Sequence, residues 1–178
     1  MGKFVNSTFV SLDGVINHME KWHFGYSSDQ TNELAVRQIR EADAMLMGRG
    51  TYDVYASSWP ERDGEYAELI NAIPKFVVSA SLTDPQWNAT TVVSTIEAAG
   101  ELKKTAGTVL MHGYGPVAKG LVAAGLLDEL HLWYHPVLAG VGGPDDVLLT
   151  PELHAVFEHT ATTTFDNGVV VISLQSRA

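Results

Sequence analysis

The sequence contains no cysteine, and only eleven of its 178 residues are lysine or arginine, against 21 aspartates and glutamates. Without cysteine the chain has no disulfide, no thiol nucleophile and no thiolate ligand, which excludes the zinc site of nucleobase deaminases. The formal net charge of −10 argues against a nucleic-acid partner, because a phosphate backbone is bound by a clustered cationic face. A small anionic ligand is compatible with this charge where a few cations and helix N-termini converge.

Long apolar runs are absent as well. No apolar stretch approaches the roughly 20 residues that a membrane helix needs, so we expect no membrane partner. The first residues lead directly into an alternating strand pattern without the features of a secretory signal, which predicts a cytoplasmic protein. His131 and His135 invite a metal hypothesis, but on one strand they lie too far apart to share an ion, and we predict no bound metal.

No linker or repeat divides the chain, so we predict a single domain over residues 1–178. Hydrophobic periodicity predicts strands that alternate with helices, followed by a hairpin at Asp166-Asn167-Gly168. The predicted strands are residues 3–10, 44–47, 76–78, 91–93, 108–111, 130–137, 156–164 and 169–174, and the predicted helices are residues 29–42, 64–72, 95–104 and 116–124, with another beginning near 51. This pattern indicates a three-layer α/β domain: a mostly parallel, twisted sheet, helices on both faces and a C-terminal antiparallel hairpin.

The second predicted strand ends in a glycine turn that leads directly into a helix. There, Gly48 lets backbone approach a phosphate, Arg49 offers a guanidinium fork, and Thr51 supplies a hydroxyl near the helix N-terminus. A tight turn with a solvated arginine explains this pattern equally well when it is considered alone. Ser79 and Ser81, after the next strand, become informative only if their loop lies beside this turn.

A second glycine turn, Gly113-Tyr114-Gly115, also connects a strand to a helix. It satisfies the loose dinucleotide pattern, but the next strand ends in His135-Pro136 and lacks the acidic residue that a Rossmann ribose site requires. We therefore predict a phosphate-contacting helix start in a different α/β fold, with a close-packed turn as the alternative.

Together and in this order, these signals resemble the dihydrofolate-reductase-like superfamily, in particular its branch related to the reductase domain of riboflavin biosynthesis. The resemblance extends over most of the chain. It is carried by Ser11-Leu12-Asp13-Gly14-Val15-Ile16, residues 46–52, Gly113-Tyr114-Gly115, residues 125–130 and residues 135–140.

The resemblance implies NADPH as the cofactor. The positions that it assigns to cofactor binding are Gly48, Arg49, Thr51, Ser79, Ser81, Gly113, Tyr114, Gly115, Pro116 and Val117. Two positions depart from the family's pattern. His112 stands where a third glycine is common, and Gly50 replaces the larger residue usual after the arginine, which weakens the preference for NADPH over NADH.

The same resemblance places the nicotinamide between residues 12–16 and 137–140. Candidate substrate-binding residues are Leu12, Gly14, Ile16 and Val137, together with Trp22 and Trp59, which lie in predicted loops and could stack on a flat substrate. Glu33 occupies the region of the first helix where dihydrofolate reductases hold the pterin. Glu33 and Asp13 are therefore the candidate catalytic carboxylates.

The implied activity is hydride transfer from NADPH to a small heterocyclic or pyrimidine-like substrate, such as 5-amino-6-(5-phosphoribosylamino)uracil. True dihydrofolate reduction and a non-catalytic NADP-binding sensor module are the alternatives. The resemblance also implies a homodimer, for which residues 130–135 offer a strand with two non-solvent faces.

Overall fold

The computed structural model describes residues 2–177. The chain order is β1 Lys3–Val10, α1 Met19–Trp22, α2 Asp29–Arg40, β2 Ala44–Gly48, α3 Arg49–Ser58, α4 Glu65–Ala72, β3 Lys75–Val78, β4 Thr90–Val93, α5 Ile96–Gly100, β5 Thr108–His112, α6 Pro116–Ala123, β6 Glu129–Tyr134, β7 Phe157–Thr164 and β8 Val170–Ser176. Short 3-10 turns lie at Phe24–Tyr26, Glu101–Lys104 and Pro144–Asp146. Within the described range, no helix has the length and apolar character needed to cross a membrane.

All eight strands form one sheet in the order β4-β3-β2-β5-β1-β6-β8-β7. Strands β1 to β6 are mutually parallel, whereas β8 runs antiparallel to both β6 and β7. This arrangement confirms the predicted fold class. Because the six parallel strands end on the same side, the loops that follow them lie along one edge of the sheet, which we term the carboxyl edge.

Helices cover both faces of the sheet because neighbouring strand residues point to opposite sides. Leu46 packs in a cluster with Leu121 of α6, whereas the preceding Met45 packs with Ile39 of α2 and Ile70 of α4. All five side chains are almost fully buried. Each contributes on the order of 1.5–3 kcal/mol by leaving water, so the two clusters hold the helix layers against the sheet.

The structure differs from the prediction in the segment after β1. The sequence predicts a loop there, but residues 19–26 form α1 and a 3-10 turn. Helix α1 has only four residues, too few for a helical period to be recognised, and it begins after His18, whose φ is 56°. Its buried Trp22 fixes the segment against the rest of the fold.

Strand β6 lies inside the sheet, which changes the expectation for a dimer surface. Leu130 and Leu132 pack in the cluster on the α6 side, and Trp133 packs with Val169 and Val171 on the α2 side. Both faces of β6 are therefore covered within the chain, and the surface suggested from residues 130–135 is wrong. A homodimer stays a prediction, for which β7, an edge strand that is exposed over most of its length, offers a surface.

Candidate functional site

Helices α3 and α6 begin beside each other at the carboxyl edge. A Cβ atom added to Gly48 would lie only 3.1 Å from Cγ2 of Val117, so the two helix starts are in contact. Gly48 caps α3 and Gly115 caps α6, and neither cap provides a side-chain hydrogen bond. The first N–H groups of both helices are therefore suited to an anionic ligand. We term residues 48–51 and 113–117 the glycine turns.

The turn after β5 leaves open space beside its backbone. A Cβ atom on Gly113 or Gly115 would have no protein atom within 4 Å, and Gly113 has a φ of +76°. The carbonyl of Gly113 accepts a hydrogen bond from Nδ2 of Asn6 at 2.8 Å, and the side chain of Tyr114 is buried in the core. The protein thus holds one side of this turn. The other side of the turn is an open cradle, which a side chain at position 113 or 115 would fill.

Arg49 lies in the first turn of α3 and already has one anionic partner. Its Nε donates to both carboxylate oxygens of Asp53, at 2.7 and 2.9 Å. These bonds leave the terminal amino groups of the guanidinium for a second anion. Pro116 is exposed beside this turn, and Thr51 is half-buried.

The serines after β3 form a local turn one strand further along the edge. Oγ of Ser79 accepts hydrogen bonds from the backbone N–H groups of Ser81 and Leu82, at 3.2 and 3.1 Å. Ser81 is exposed. Because β3 is the neighbour of β2, this turn lies beside the start of α3, as the sequence interpretation requires.

The loops after β1 and β6 are joined into one wall at the other end of the edge. The backbone bonds that join the wall are Leu12 N–H to Val137 O, Ile16 N–H to Asp146 O and Leu148 N–H to Gly14 O, each 2.8 Å long. Residues 12–16 and 137–140 are thus adjacent, as expected from the resemblance.

Asp13 is the side chain that fixes this wall. Its carboxylate accepts hydrogen bonds from Oγ of Ser11 and from the backbone N–H groups of Gly140 and Ala139, at 2.5, 2.8 and 2.9 Å. These bonds, that of Ser11 first, lower the pKa of Asp13 to about 2. Asp13 is therefore ionised at neutral pH and holds no proton to give, so we interpret it as a positioning residue.

A cavity of about 330 Å³, including its open mouth, lies next to the wall between β1, β6 and the start of α2. It is lined by Phe9, His23, Tyr26, Ser27, Thr31, Asn32, Ala35, Trp133 and His135. Among these described residues there is no aspartate, glutamate, lysine or arginine. We term this space the aromatic cavity.

The two histidines of the aromatic cavity are hydrogen bonded to each other. Nδ1 of His23 lies 3.0 Å from Nε2 of His135, and Nδ1 of His135 lies 2.9 Å from the carbonyl oxygen of Trp133. The His23 ring stacks on Phe9 with a centroid distance of 4.1 Å. Burial, and then the neighbouring His135, lower the pKa of His23 to about 4, and burial also lowers the pKa of His135.

The model of the RibD C-terminal domain family matches residues 3–171. The chain belongs to this family. It is 26% identical to the uncharacterized protein YyaP of Bacillus subtilis over 141 residues, which cover 75% of this chain and 74% of YyaP. This membership indicates a pyrimidine-reductase-like function.

Solved structures show the same fold. A protein of Shewanella sp. PV-4 that is assigned to riboflavin biosynthesis matches with a TM-score of 0.74 at 20% identity, over the full length of both chains. A pyrimidine reductase-like protein of Corynebacterium diphtheriae gives 0.64 at 12% identity, over 99% of this chain and 92% of that one. RibD of Acinetobacter baumannii also gives 0.64, at 13% identity, over all of this chain and 59% of that one.

The predicted substrate residues of this RibD-type domain do not line the aromatic cavity. Leu12, Gly14, Ile16 and Val137 belong to the wall beside it. Trp22 is buried next to the cavity, where its ring contacts His135 edge-on at 5.2 Å and its Nε1 donates to Asn17 O.

Two further candidates point elsewhere. Trp59 lies at the end of α3, where it packs against Tyr55 and Tyr66 in a separate aromatic cluster. Glu33 is exposed on α2, and its neighbour Asn32 is the residue that lines the cavity. Nothing in the cavity therefore requires Glu33 to act as the proton donor.

His112, the departure from the family's glycine pattern, packs away from the second glycine turn. Its Nδ1 lies 3.1 Å from the hydroxyl of Tyr55 on α3. Burial lowers the pKa of His112 to about 4 and raises that of Tyr55. The extra side chain therefore occupies the space between sheet and helix, and the cradle at Gly113 and Gly115 remains open.

Sequence reasoning missed the histidine pair. His23 lies in the segment predicted to be a loop, and His135 was considered as a metal ligand and as part of the family motif but not as a site residue. The available signal was the position of His135 directly after a strand, at the edge where ligands bind to such sheets.

Proposed function

We propose that this protein is an NADPH-dependent reductase that transfers hydride to a C=N or C=O bond of a small heterocyclic or pyrimidine-like substrate. The observation that carries this proposal is the contact between two helix starts that both have glycine caps, with Arg49 on one of them. Two helix N-termini and a guanidinium are suited to the phosphate groups of a dinucleotide.

The described residues fit this cofactor along the carboxyl edge. Arg49 and Thr51, with the serine turn at Ser79 and Ser81, would hold the adenosine and its 2′-phosphate, and the backbone of 113–117 would hold the pyrophosphate. The wall of 12–16 and 137–140 would border the nicotinamide, which supplies the hydride when the cofactor is bound. The chain's own part is to position the reactants and exclude water.

The aromatic cavity favours a small, flat substrate ring. Phe9, Trp133 and the two histidines offer ring surfaces, and the described lining contains no charged anchor for a pterin. These features favour a pyrimidine-like ring over dihydrofolate.

Calorimetric titration with NADPH and NADH tests the cofactor site. We expect NADPH to bind at least tenfold more tightly, because a charge-assisted contact between Arg49 and the 2′-phosphate is worth about 1.5–3 kcal/mol. Arg49→Ala should abolish this preference and leave the affinity for NADH nearly unchanged. Arg177→Ala is the matched control, since Arg177 is exposed just after β8, on the side of the sheet opposite the carboxyl edge.

Equal affinities of the wild-type protein for NADPH and NADH would contradict the role of Arg49.

A separate assay distinguishes a reductase from a non-catalytic sensor module. The protein is mixed with NADPH and 5-amino-6-(5-phosphoribosylamino)uracil, and oxidation of NADPH is followed by absorbance. Cofactor binding without any oxidation in this assay would favour the sensor alternative.

A further inference from the structure

The hydrogen bonds of the histidine pair determine where its protons lie. A carbonyl oxygen only accepts, so Nδ1 of His135 must carry the proton that reaches Trp133 O. A neutral His135 then presents a bare Nε2, which accepts the proton on Nδ1 of His23. In the neutral pair, Nε2 of His23 is the ring nitrogen left without a proton.

Nε2 of His23 is also accessible. It makes no hydrogen bond among the described residues, yet no buried side-chain nitrogen or oxygen in residues 2–177 lacks a partner. This nitrogen is therefore not sealed inside the protein. The His23 ring lines the aromatic cavity, and from this we infer that the accessible nitrogen faces a ligand bound there.

We propose that His23 gives the substrate its proton from Nε2, and that His135 is a positioning residue that fixes the His23 tautomer. The proposal rests on the proposed reductase function, because it names the acid for that reaction. Two observations support the proposal. The described cavity lining contains no carboxylate, and Nε2 of His23 is the one ring nitrogen of the pair that can still take up a proton.

The proton transfer balances the reduction. The substrate carbon gains a hydride, which carries two electrons, and the π pair of its C=N or C=O bond moves onto the nitrogen or oxygen. As negative charge develops on that atom, Nε2 of His23 takes up a proton from the solvent and passes it to that atom, which returns His23 to its neutral form. The two electrons would come from the bound cofactor, which would leave in its oxidised form.

The surroundings of the pair keep it neutral until negative charge develops in the cavity. Phe9, Trp22 and Trp133 pack their rings near the pair, and α2 contributes Thr31 and Asn32. The other titratable group of the described lining is Tyr26, whose hydroxyl donates to Pro136 O. With no fixed anion in the lining, an imidazolium at His23 is stabilised mainly by an anionic ring beside it.

Proton uptake with barbiturate, the anion of a flat pyrimidine-type ring, tests this proposal. Calorimetric titrations at pH 7 in buffers of different ionisation enthalpy count the protons taken up. We expect about one proton per bound ring for the wild-type protein, because protonated His23 is favoured only in the complex. His23→Gln should take up none, and His154→Gln, at an exposed histidine, should behave as the wild type.

Failure of barbiturate to bind, or binding without proton uptake by the wild-type protein, would overturn the proposal. NADPH titration of the same variants separates this result from the cofactor assignment. If His23→Gln binds NADPH normally and proton uptake is absent from the wild type, the proton role fails and the reductase proposal stands. If the wild-type protein does not bind NADPH, the reductase proposal itself fails.

Nitrogen-15 NMR of the histidine rings tests the positioning role of His135. We expect the Nδ1–H tautomer of His23 in the wild-type protein, and we expect it to persist in His135→Gln. The glutamine can still donate to Trp133 O and accept from His23, whereas His135→Leu cannot accept and should release His23 to the Nε2–H tautomer. An Nε2–H tautomer of His23 in the wild type would refute this role.

Discussion

The glycine turns and the aromatic cavity lie along the same edge of the sheet but present different chemistry. The turns offer backbone N–H groups and empty space, and their side chains either pack into the core, like Tyr114 and Val117, or point to solvent. The cavity offers rings and ring nitrogens. We propose that the first region binds the phosphate groups of a dinucleotide, whereas the second binds a substrate ring and supplies a proton to it.

This difference determines how each region should respond to mutation. Adding a methyl group to a glycine turn removes space that the ligand needs, although no protein contact is lost. In the cavity, the sensitive property is the protonation state of a side chain. Substitutions can therefore be chosen that affect one region and leave the other intact.

The largest effect is expected from Gly115→Ala. Gly115 has a φ of −85°, and its added Cβ would meet no protein atom within 4 Å, so the fold should tolerate alanine. The methyl group would occupy the cradle, and we expect NADPH affinity to fall at least tenfold, or about 1.4 kcal/mol. Calorimetry gives the affinity, and thermal unfolding checks the fold.

Gly25→Ala is the matched control, because Gly25 also has open space for a Cβ but lies in the turn beside the cavity. It should bind NADPH as the wild type does. Barbiturate affinity of Gly115→Ala should remain unchanged. A Gly115→Ala variant that melts and binds NADPH as the wild type does would contradict the assignment of this turn to cofactor binding.

A smaller effect is expected in the pH dependence of stability, to which His23 of the aromatic cavity and His112, just before the second glycine turn, contribute. The pKa values of His23 and His112 are about 4 in the folded protein, below the ordinary value of 6.5, because both rings are buried. The unfolded chain therefore binds protons first as the pH falls. Stability from these groups is fully present above pH 6.5 and is lost as the pH falls from 6.5 toward 4.

Urea unfolding at about pH 7 and pH 5 measures this loss. Each histidine should account for on the order of 1 kcal/mol of the decrease in the free energy of unfolding. His23→Gln and His112→Gln should each lose less unfolding free energy between pH 7 and pH 5 than the wild type does. The two effects should add, because the two rings have separate partners. If both variants keep the full pH dependence, the two rings are not held neutral by burial.

The smallest effect is expected from Asp53→Asn. Asp53 holds Nε of Arg49 and places a negative charge near the site assigned to the 2′-phosphate. Removing this charge should strengthen NADPH binding by about 1.4-fold to fivefold, since exposed ion pairs are worth about 0.2–1 kcal/mol. NADH affinity should not change. Weaker NADPH binding in this variant would mean that Asp53 orients Arg49 and does not compete with the phosphate.

The two regions also differ in how far they could be predicted. The glycine turns are local, since strand, glycine and helix follow one another in the sequence, and the strand order then brings β2 and β5 together. The fold was predictable for the same reason. The cavity joins His23 to His135, which are 112 residues apart, through an unpredicted short helix. No local pattern encodes such a contact, because tertiary packing alone creates it.

The hydrogen bonds of Asp13, which fix the wall of residues 12–16 and 137–140, have a consequence for the kinetics of ligand binding. With three hydrogen bonds to its carboxylate, the wall beside the cavity is already in place before any ligand arrives. The entropy of ordering these two loops is therefore lost when the chain folds and does not reduce the affinity for a ligand. A ligand meets a fixed frame, so its association should be a single kinetic step without a subsequent loop closure.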